Sequence, residues 1–214
     1  MAAGRLTLPN VITIGRIIAC PAVFFLVLTP SVSLRFVAWV LFVAAGLSDL
    51  WDGYLARKHG LITDLGKLLD PLADKLLVVA TFVPFYILSH RDALVGPLPF
   101  LGALPLWVVL IIFGREVFIT VFRSYAANRG IVISAGQSGK YKAFVQNLFI
   151  GGLLLWYPLQ MLSIDRGWSG AFWTFWTYLH GGWVVVMLSG ALLLTVFSLG
   201  DYLWRFRTLL GVRS

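Results

Sequence analysis

The chain has 214 residues, of which 59% are hydrophobic and 12% charged. A soluble domain of this length carries about 25% charged residues, so a water-solvated globule is excluded and one compact membrane-embedded domain spanning 1–214 is expected. The net charge is +8, which in a membrane suits anionic head groups or phosphorylated substrates; nucleic acid fits poorly, because the cations are spread among apolar segments.

A membrane-crossing helix needs about 20 mostly apolar residues. Six such segments follow in chain order: Asn10–Thr29, Leu34–Ala56, Pro71–Leu88, Leu104–Ala126, Ala143–Leu162 and Leu179–Leu203. The first contains Arg16 and no small-residue cleavage motif follows it, so no cleavable leader is expected. Cys20, the only cysteine, sits in that run beside Pro21 and reads as a small packing residue. Pro71 suits the first turn of the third helix, with Asp70 as its cap, and leaves a loop of roughly a dozen residues before it. Residues 95–105 hold three prolines and two glycines and read as a loop. The aromatic stretch Trp168–Tyr178 reads as an interfacial belt leading into the last span. His90 and His180 are expected at the outer interface, the tryptophans as interface anchors, and His59 has no partner spacing that suggests a ligand.

Basic residues divide unevenly between the two sides. One side receives Arg5, Arg16, Arg57, Lys58, Lys67, Arg129, Lys140, Lys142, Arg205, Arg207 and Arg213; the other receives Arg35, Arg91 and Arg166. The positive-inside rule then predicts an all-α integral membrane protein with six transmembrane helices and both termini cytoplasmic.

Acidic residues are scarce, nine in all, and five fall between positions 49 and 74. Asp49 and Asp52 are three apart, and Asp70 and Asp74 four apart, so each pair shares one helix face. Asp64 lies between the pairs. A carboxylate at membrane depth costs about 2.5–3.5 kcal/mol on insertion scales, and four converging carboxylates also repel one another. Something positive must offset this. Mg²⁺ commonly joins a few carboxylates to substrate phosphates, and two divalent ions about 4 Å apart form a clamp for phosphoryl transfer. The plainer alternative is a solvated helix-end network with Arg57, Lys67 and Lys75. Gly53 and Ala56 leave a shallow surface for a base or diphosphate to approach the backbone, or serve close helix packing. Gly60 and Gly66 would permit the turn between the spans. Arg57 is placed to hold a diphosphate or to mark the cytoplasmic boundary.

The run Asp49-Leu-Trp-Asp52-Gly53-Tyr-Leu-Ala56-Arg57, then eight residues, then Gly66-Lys-Leu-Leu-Asp70-Pro-Leu-Ala-Asp74 resembles the signature of the CDP-alcohol phosphotransferase family, D-x2-D-G-x2-A-R-x8-G-x3-D-x3-D. Every fixed position agrees. Leu8-Pro9-Asn10-Val-Ile-Thr13-Ile-Gly-Arg16 is similar to the family's N-terminal segment. Gly114-Arg115-Glu116, Arg123 and Ser134-Ala-Gly-Gln137-Ser-Gly139-Lys140-Tyr-Lys142 look like the branch that makes phosphatidylglycerophosphate. The resemblance implies a six-helix membrane fold, a homodimer and an active site at the cytoplasmic surface. It implies that Asp49, Asp52, Asp70 and Asp74 ligate divalent metal, Mg²⁺ or Mn²⁺, with Asp74 also the general base. It implies that Gly53, Ala56, Arg57 and Gly66, helped by Asn10 and Thr13, line the CDP site. The bacterial look of the sequence points to the cytoplasmic (inner) membrane.

The expected reaction is transfer of a phosphatidyl group from CDP-diacylglycerol to glycerol 3-phosphate, with CMP released. A phosphorylated acceptor needs cations of its own. Arg115 and Arg123 are eight apart, two helical turns, and so share a face; with Lys140 and Lys142 they could form an acceptor-phosphate pocket. Arg123, Lys140 and Lys142 also lie where positive-inside residues belong, whereas Arg115 is deeper and beside Glu116, and charge inside a membrane usually serves function. Helix neighbours point about 100° apart, so Glu116 need not pair with Arg115. The alternatives are a family member with another acceptor (inositol phosphate, serine or phosphatidylglycerol), an inactive scaffold, or a metal-ion transporter. The last is disfavoured because its acids would sit near the midplane in repeated halves.

Overall fold

The computed structural model describes residues 7–59, 63–92, 95–129 and 137–206, and leaves aside the side chains at 50, 52–57, 59, 64, 67 and 205. Among the described residues the chain is all helical: α1 (Leu8–Leu28), α2 (Val32–His59), α3 (Asp64–Arg91), α4 (Leu106–Ala127), α5 (Gln137–Arg166) and α6 (Ala171–Arg205). Five of these are long and apolar enough to cross a membrane. The other, α4, has the length but carries Arg115, Glu116 and Arg123. Outward faces are apolar, with Phe25, Trp51, Leu68, Val121, Leu193 and Phe197 all well exposed, as a lipid-facing surface requires.

The helix limits differ from those expected in three places. The third helix begins at Asp64, not at Pro71, so Asp70 is not its cap and Pro71 lies inside it. The reason is a better cap upstream. Thr63 is extended and its hydroxyl oxygen accepts from the Gly66 amide at 3.0 Å. The dozen-residue loop shrinks accordingly, since α2 continues to His59. In the fifth helix, Gln137 is the first residue, so Lys140 and Lys142 lie within its first turns. At the other end, most of the aromatic stretch 168–178 is the opening of α6, which starts after Gly170. The loop over 95–105 is as expected, with Phe100 and Gly102 at positive φ (61° and 72°).

Packing closes a ring: α1 lies against α2 and α3, α2 against α5, α5 against α6, and α6 against α4, while α4 only grazes α3. Every helix contributes to one apolar core, including Val23, Phe42, Phe82, Val108, Phe149 and Val184. Its centre is aromatic. Phe82 and Phe149 stand 5.6 Å apart between centroids, and Phe85 and Tyr157 5.8 Å. Inside a membrane such contacts hold helices by close packing, since lipid tails are as apolar as the core. Phe82 and Phe85 sit in the second half of α3. That leaves the first half, with Asp70 and Asp74, free to line a polar space.

Two residues expected on the outer side, Arg35 and His180, are buried. Arg35 is 3% exposed; its Nε donates to the Thr29 carbonyl at 3.1 Å and its guanidinium lies 5.8 Å from the Tyr157 ring centre. His180 is also buried, with Nε2 2.9 Å from the Gly152 carbonyl and its ring between Trp156 and Trp176.

Gly96 closes the loop after α3 onto the end of that helix. Its amide donates to the Asp92 carbonyl at 2.9 Å, and a Cβ there would overlap the carbonyl oxygen of Leu88. At Gly46 nothing lies within 4 Å of an added Cβ. Gly96→Ala is therefore expected to lower stability in detergent by more than about 2 kcal/mol, while Gly46→Ala is neutral or stabilising. Equal melting of the two variants would show that this close approach is not real.

Candidate active site

Three helices bring the acidic cluster together. Asp49 comes from the end of α2, Asp70 and Asp74 from α3, and the cation between them from α1. That cation is Arg16, only 5% exposed, whose guanidinium bonds Asp49 and reaches Asp74 at 3.5 Å and Asp70 at 3.7 Å. Thr13, one turn earlier on the same face of α1, has its hydroxyl 2.9 Å from Asp70 Oδ1 and 3.1 Å from the Pro9 carbonyl. The carboxylates themselves are between 42% and 65% exposed on their side chains, so water or a ligand reaches them from the open side. Of the plainer network's cations, Arg57 and Lys67 lie outside the described side chains; the pairing cation seen is Arg16, from a different helix.

The nucleotide-side residues converge just beyond. Thr63 donates its hydroxyl to Asn10 Oδ1 at 2.9 Å while capping α3. A Cβ on Gly66 would stand 3.0 Å from Asn10 Oδ1 and 3.2 Å from Thr63 Oγ1. Gly66 thus allows the two helix starts to meet. Asn10 and Thr13 are fully buried, and Asn10 Nδ2 has no partner. The side chains of Asp52, Ala56 and Arg57, and Gly53 with them, lie outside the described residues.

A cavity of about 450 Å³ joins the aspartates to the expected acceptor cations. Asp49, Asp70 and Asp74 line one part; Arg115, Arg123, Lys140 and Lys142 line another. Between the last two groups stands Glu116. Its Oε1 accepts from Arg115 at 2.9 Å and from Lys142 at 2.7 Å. Glu116 therefore does pair with its sequence neighbour: the long arginine side chain bends back along the helix to a carboxylate already drawn in by Lys142. Lys142 is 3% exposed, and a buried ammonium needs such a partner. Two cations on one carboxylate leave this group net positive. Arg123 is not so committed, and its Nε has no partner. Lys140 is exposed at the rim.

Several participants were not singled out from the sequence. In the sequence Arg16 counts only among the cations of one side and as the end of the N-terminal segment, although a cation inside an otherwise apolar helix is itself a signal. Glu116 was noticed only as a neighbour. Gln146, Ser138, Asp201 and Tyr202 also line the cavity, and the Ser138 hydroxyl donates to Asp201 at 3.0 Å. Asp201 and Tyr202 lie on α6, where the sequence offers little beyond hydrophobicity. A smaller apolar recess of about 230 Å³ sits at the sparse α3–α4 seam, lined by Val79, Phe113, Val117 and Val121. It shares Lys75, Val78, Glu116 and Thr120 with the main cavity.

Among the described residues no three carboxylate, His or Cys side chains stand in metal-ligating geometry, and the Arg16 guanidinium lies among the aspartates. The donor chemistry nevertheless fits a hard divalent cation. The donors are carboxylate oxygens from two helices, converging within reach of a single positive group and open on one side.

Residues 6–197 match the family model described as CDP-alcohol phosphatidyltransferase. A probable phosphatidylglycerophosphate synthase of Mycobacterium tuberculosis is 38% identical over 212 residues, covering 97% of this chain and 85% of that protein. A CDP-diacylglycerol–glycerol-3-phosphate 3-phosphatidyltransferase of Bacillus subtilis is 34% identical over 202 residues, covering 85% and 98%. A protein of the same name from Rickettsia bellii is 34% identical over 148 residues, covering 69% and 75%.

Removing Arg16 leaves three carboxylates facing one another. Arg16→Met is expected to lower the stability of the metal-free protein by about 1 kcal/mol, less than the roughly 1.5–3 kcal/mol of a hydrogen bond to a charged group because the aspartates are partly exposed. Thermal unfolding in detergent with a chelator checks it; an unchanged midpoint would remove Arg16 from its central place.

Proposed function

The chain belongs to the CDP-alcohol phosphatidyltransferase family, and on that premise we propose that its cavity transfers the phosphatidyl group of CDP-diacylglycerol to glycerol 3-phosphate, releasing CMP. The observation that carries this reading is the single cavity in which an acidic wall faces a cationic one. The first suits a metal-bound diphosphate and the second a phosphorylated acceptor. The names of the Mycobacterium, Bacillus and Rickettsia relatives favour glycerol 3-phosphate over inositol phosphate, which the same cations could also hold.

Asp49, Asp52, Asp70 and Asp74 would hold the divalent metal, Mg²⁺ or Mn²⁺ and two ions in our reading. Bound there, it would neutralise the diphosphate and polarise the reacting phosphorus. The protein's own groups do the rest. Asn10, Thr13, Gly53, Ala56, Arg57 and Gly66 form the CDP side, supported by the close approach of Asn10 to Gly66. Arg123 and Lys140 hold the acceptor phosphate, while Arg115 and Lys142, tied through Glu116, supply a fixed positive wall. A terminal hydroxyl of the acceptor attacks the phosphorus that carries diacylglycerol. Asp74 takes its proton. The bond from that phosphorus to the CMP oxygen breaks, and CMP leaves.

The apolar recess at the α3–α4 seam gives the lipid chains a path to the bilayer without leaving the cavity. The charge asymmetry of the loops supports an active site on the cytoplasmic side with both termini there. Bacterial relatives support the cytoplasmic (inner) membrane. The family resemblance supports a homodimer.

Two variants test the assignment. Asp74→Asn is expected to lower turnover by about 10²–10⁴-fold, the worth of a general base, while the protein still binds CDP-diacylglycerol. Near-normal turnover would remove Asp74 as the base. Arg123→Ala is expected to raise the apparent KM for glycerol 3-phosphate by about tenfold or more, as loss of a charge-assisted contact should, and to leave that for CDP-diacylglycerol within about twofold. An equal rise in both would take Arg123 out of the acceptor pocket.

A further inference from the structure

Some polar groups lining the cavity pair with one another, Glu116 with Arg115 and Lys142 and Ser138 with Asp201, and the buried ones that do not show what a ligand must supply. Among the described residues four buried atoms in its wall have no hydrogen-bond partner: Arg115 Nε, Arg123 Nε, the Gln146 side-chain carbonyl oxygen and the Tyr202 hydroxyl. The two arginine nitrogens are donors and suit a phosphate. Gln146 is different. Its Oε1 is an acceptor, so it repels a phosphate oxygen and attracts a hydroxyl. Gln146 is 2% exposed and lies one turn beyond Lys142 on the same face of α5. It thus stands directly inward of the cationic wall. A buried carbonyl is costly to leave unpaired, and no side chain of the described residues relieves it.

Glycerol 3-phosphate has three functional positions. In the reading given above, its phosphate meets the cations and one terminal hydroxyl attacks. The secondary hydroxyl is left, next to the phosphate-bearing carbon and so close to the cationic wall. We infer that Gln146 accepts a hydrogen bond from this secondary hydroxyl and is a specificity-determining residue for the acceptor. The inference rests on the proposed acceptor. A site built around a substrate hydroxyl rejects an analogue that lacks it, because the buried partner is then stranded. A phosphate-bearing alcohol without the secondary hydroxyl should therefore be a poor acceptor even though it retains the anion and the attacking group.

The test compares two acceptors, sn-glycerol 3-phosphate and 3-hydroxypropyl phosphate, by CMP release with the full-length protein in detergent–lipid micelles. The native protein is expected to prefer glycerol 3-phosphate by at least about a hundredfold in kcat/KM. Gln146→Met, similar in size but without the acceptor, should bring the ratio below about tenfold, chiefly by losing rate with glycerol 3-phosphate, and leave the KM for CDP-diacylglycerol unchanged. Gln146→Glu keeps an acceptor oxygen and should keep a preference of about tenfold or more. A native protein that uses both acceptors equally would overturn the inference without any variant, as would a Gln146→Met protein that keeps the full native ratio. CMP release with neither compound, but with another alcohol, would instead overturn the acceptor reading and take this inference with it.

Discussion

A guanidinium on α1 surrounded by carboxylates from α2 and α3 sets the geometry of the whole polar half of the bundle. Helix ends carrying Asp49, Asp70 and Asp74 would separate by mutual repulsion if nothing positive stood between them. Arg16 supplies that charge from a nearly buried position. The helices can then meet at their polar ends, where Asn10, Thr63 and Gly66 interlock. A bound metal would meet the same electrostatic need, which is why the chemistry of the cluster fits one although the geometry here is that of an ion-pair network.

A second charge balance mirrors the first across the cavity. Glu116 is to Lys142 and Arg115 what Arg16 is to the aspartates: one group of opposite sign holding several like charges. The two balances differ in sign, so the cavity is polarised, anionic on the α2–α3 side and cationic on the α4–α5 side. That polarity sorts two phosphorylated substrates. The donor's diphosphate needs a metal to approach the acidic wall, while the acceptor's phosphate can bind the basic wall directly. The main aromatic core, with Phe82, Phe85, Phe149 and Tyr157, fills the other half of the bundle, a small cluster of Phe122, Tyr202 and Phe206 sits beside the cavity, and α4 packs loosely against α3. Room is left where polar chemistry needs it and where lipid chains need an exit.

How much of this could be read beforehand depended on how local the signal was. The aspartate spacing and the apolar runs are short-range patterns; the runs fall on the helices found, and the helices bring Asp49, Asp70 and Asp74 around Arg16. Helix starts were misjudged where a proline competed with a better cap: Pro71 suggested a first turn, yet the Thr63 hydroxyl nucleates α3 seven residues earlier. Lys140 and Lys142 were placed in the acceptor pocket from sequence and do line the cavity, but the tie between Lys142 and Glu116 needed the fold, because they are 26 positions apart. Arg16 was legible only as an intramembrane charge; its partners lie on other helices. Gln146 and Tyr202 gave no signal, since an amide and a phenol in apolar helices become informative only when their neighbours are known. The side chains of Asp52 and Arg57 lie outside the described residues, so their part in the signature rests on spacing and resemblance.

The most direct measurement is CMP release from CDP-diacylglycerol by the purified protein with Mg²⁺ or Mn²⁺, offering one acceptor at a time. The account predicts release that depends on both the metal and glycerol 3-phosphate. Release with inositol phosphate, serine or phosphatidylglycerol but not with glycerol 3-phosphate would contradict the acceptor assignment. Release with none of them, from folded protein, would contradict the reading of the polarised cavity as a phosphatidyl-transfer site.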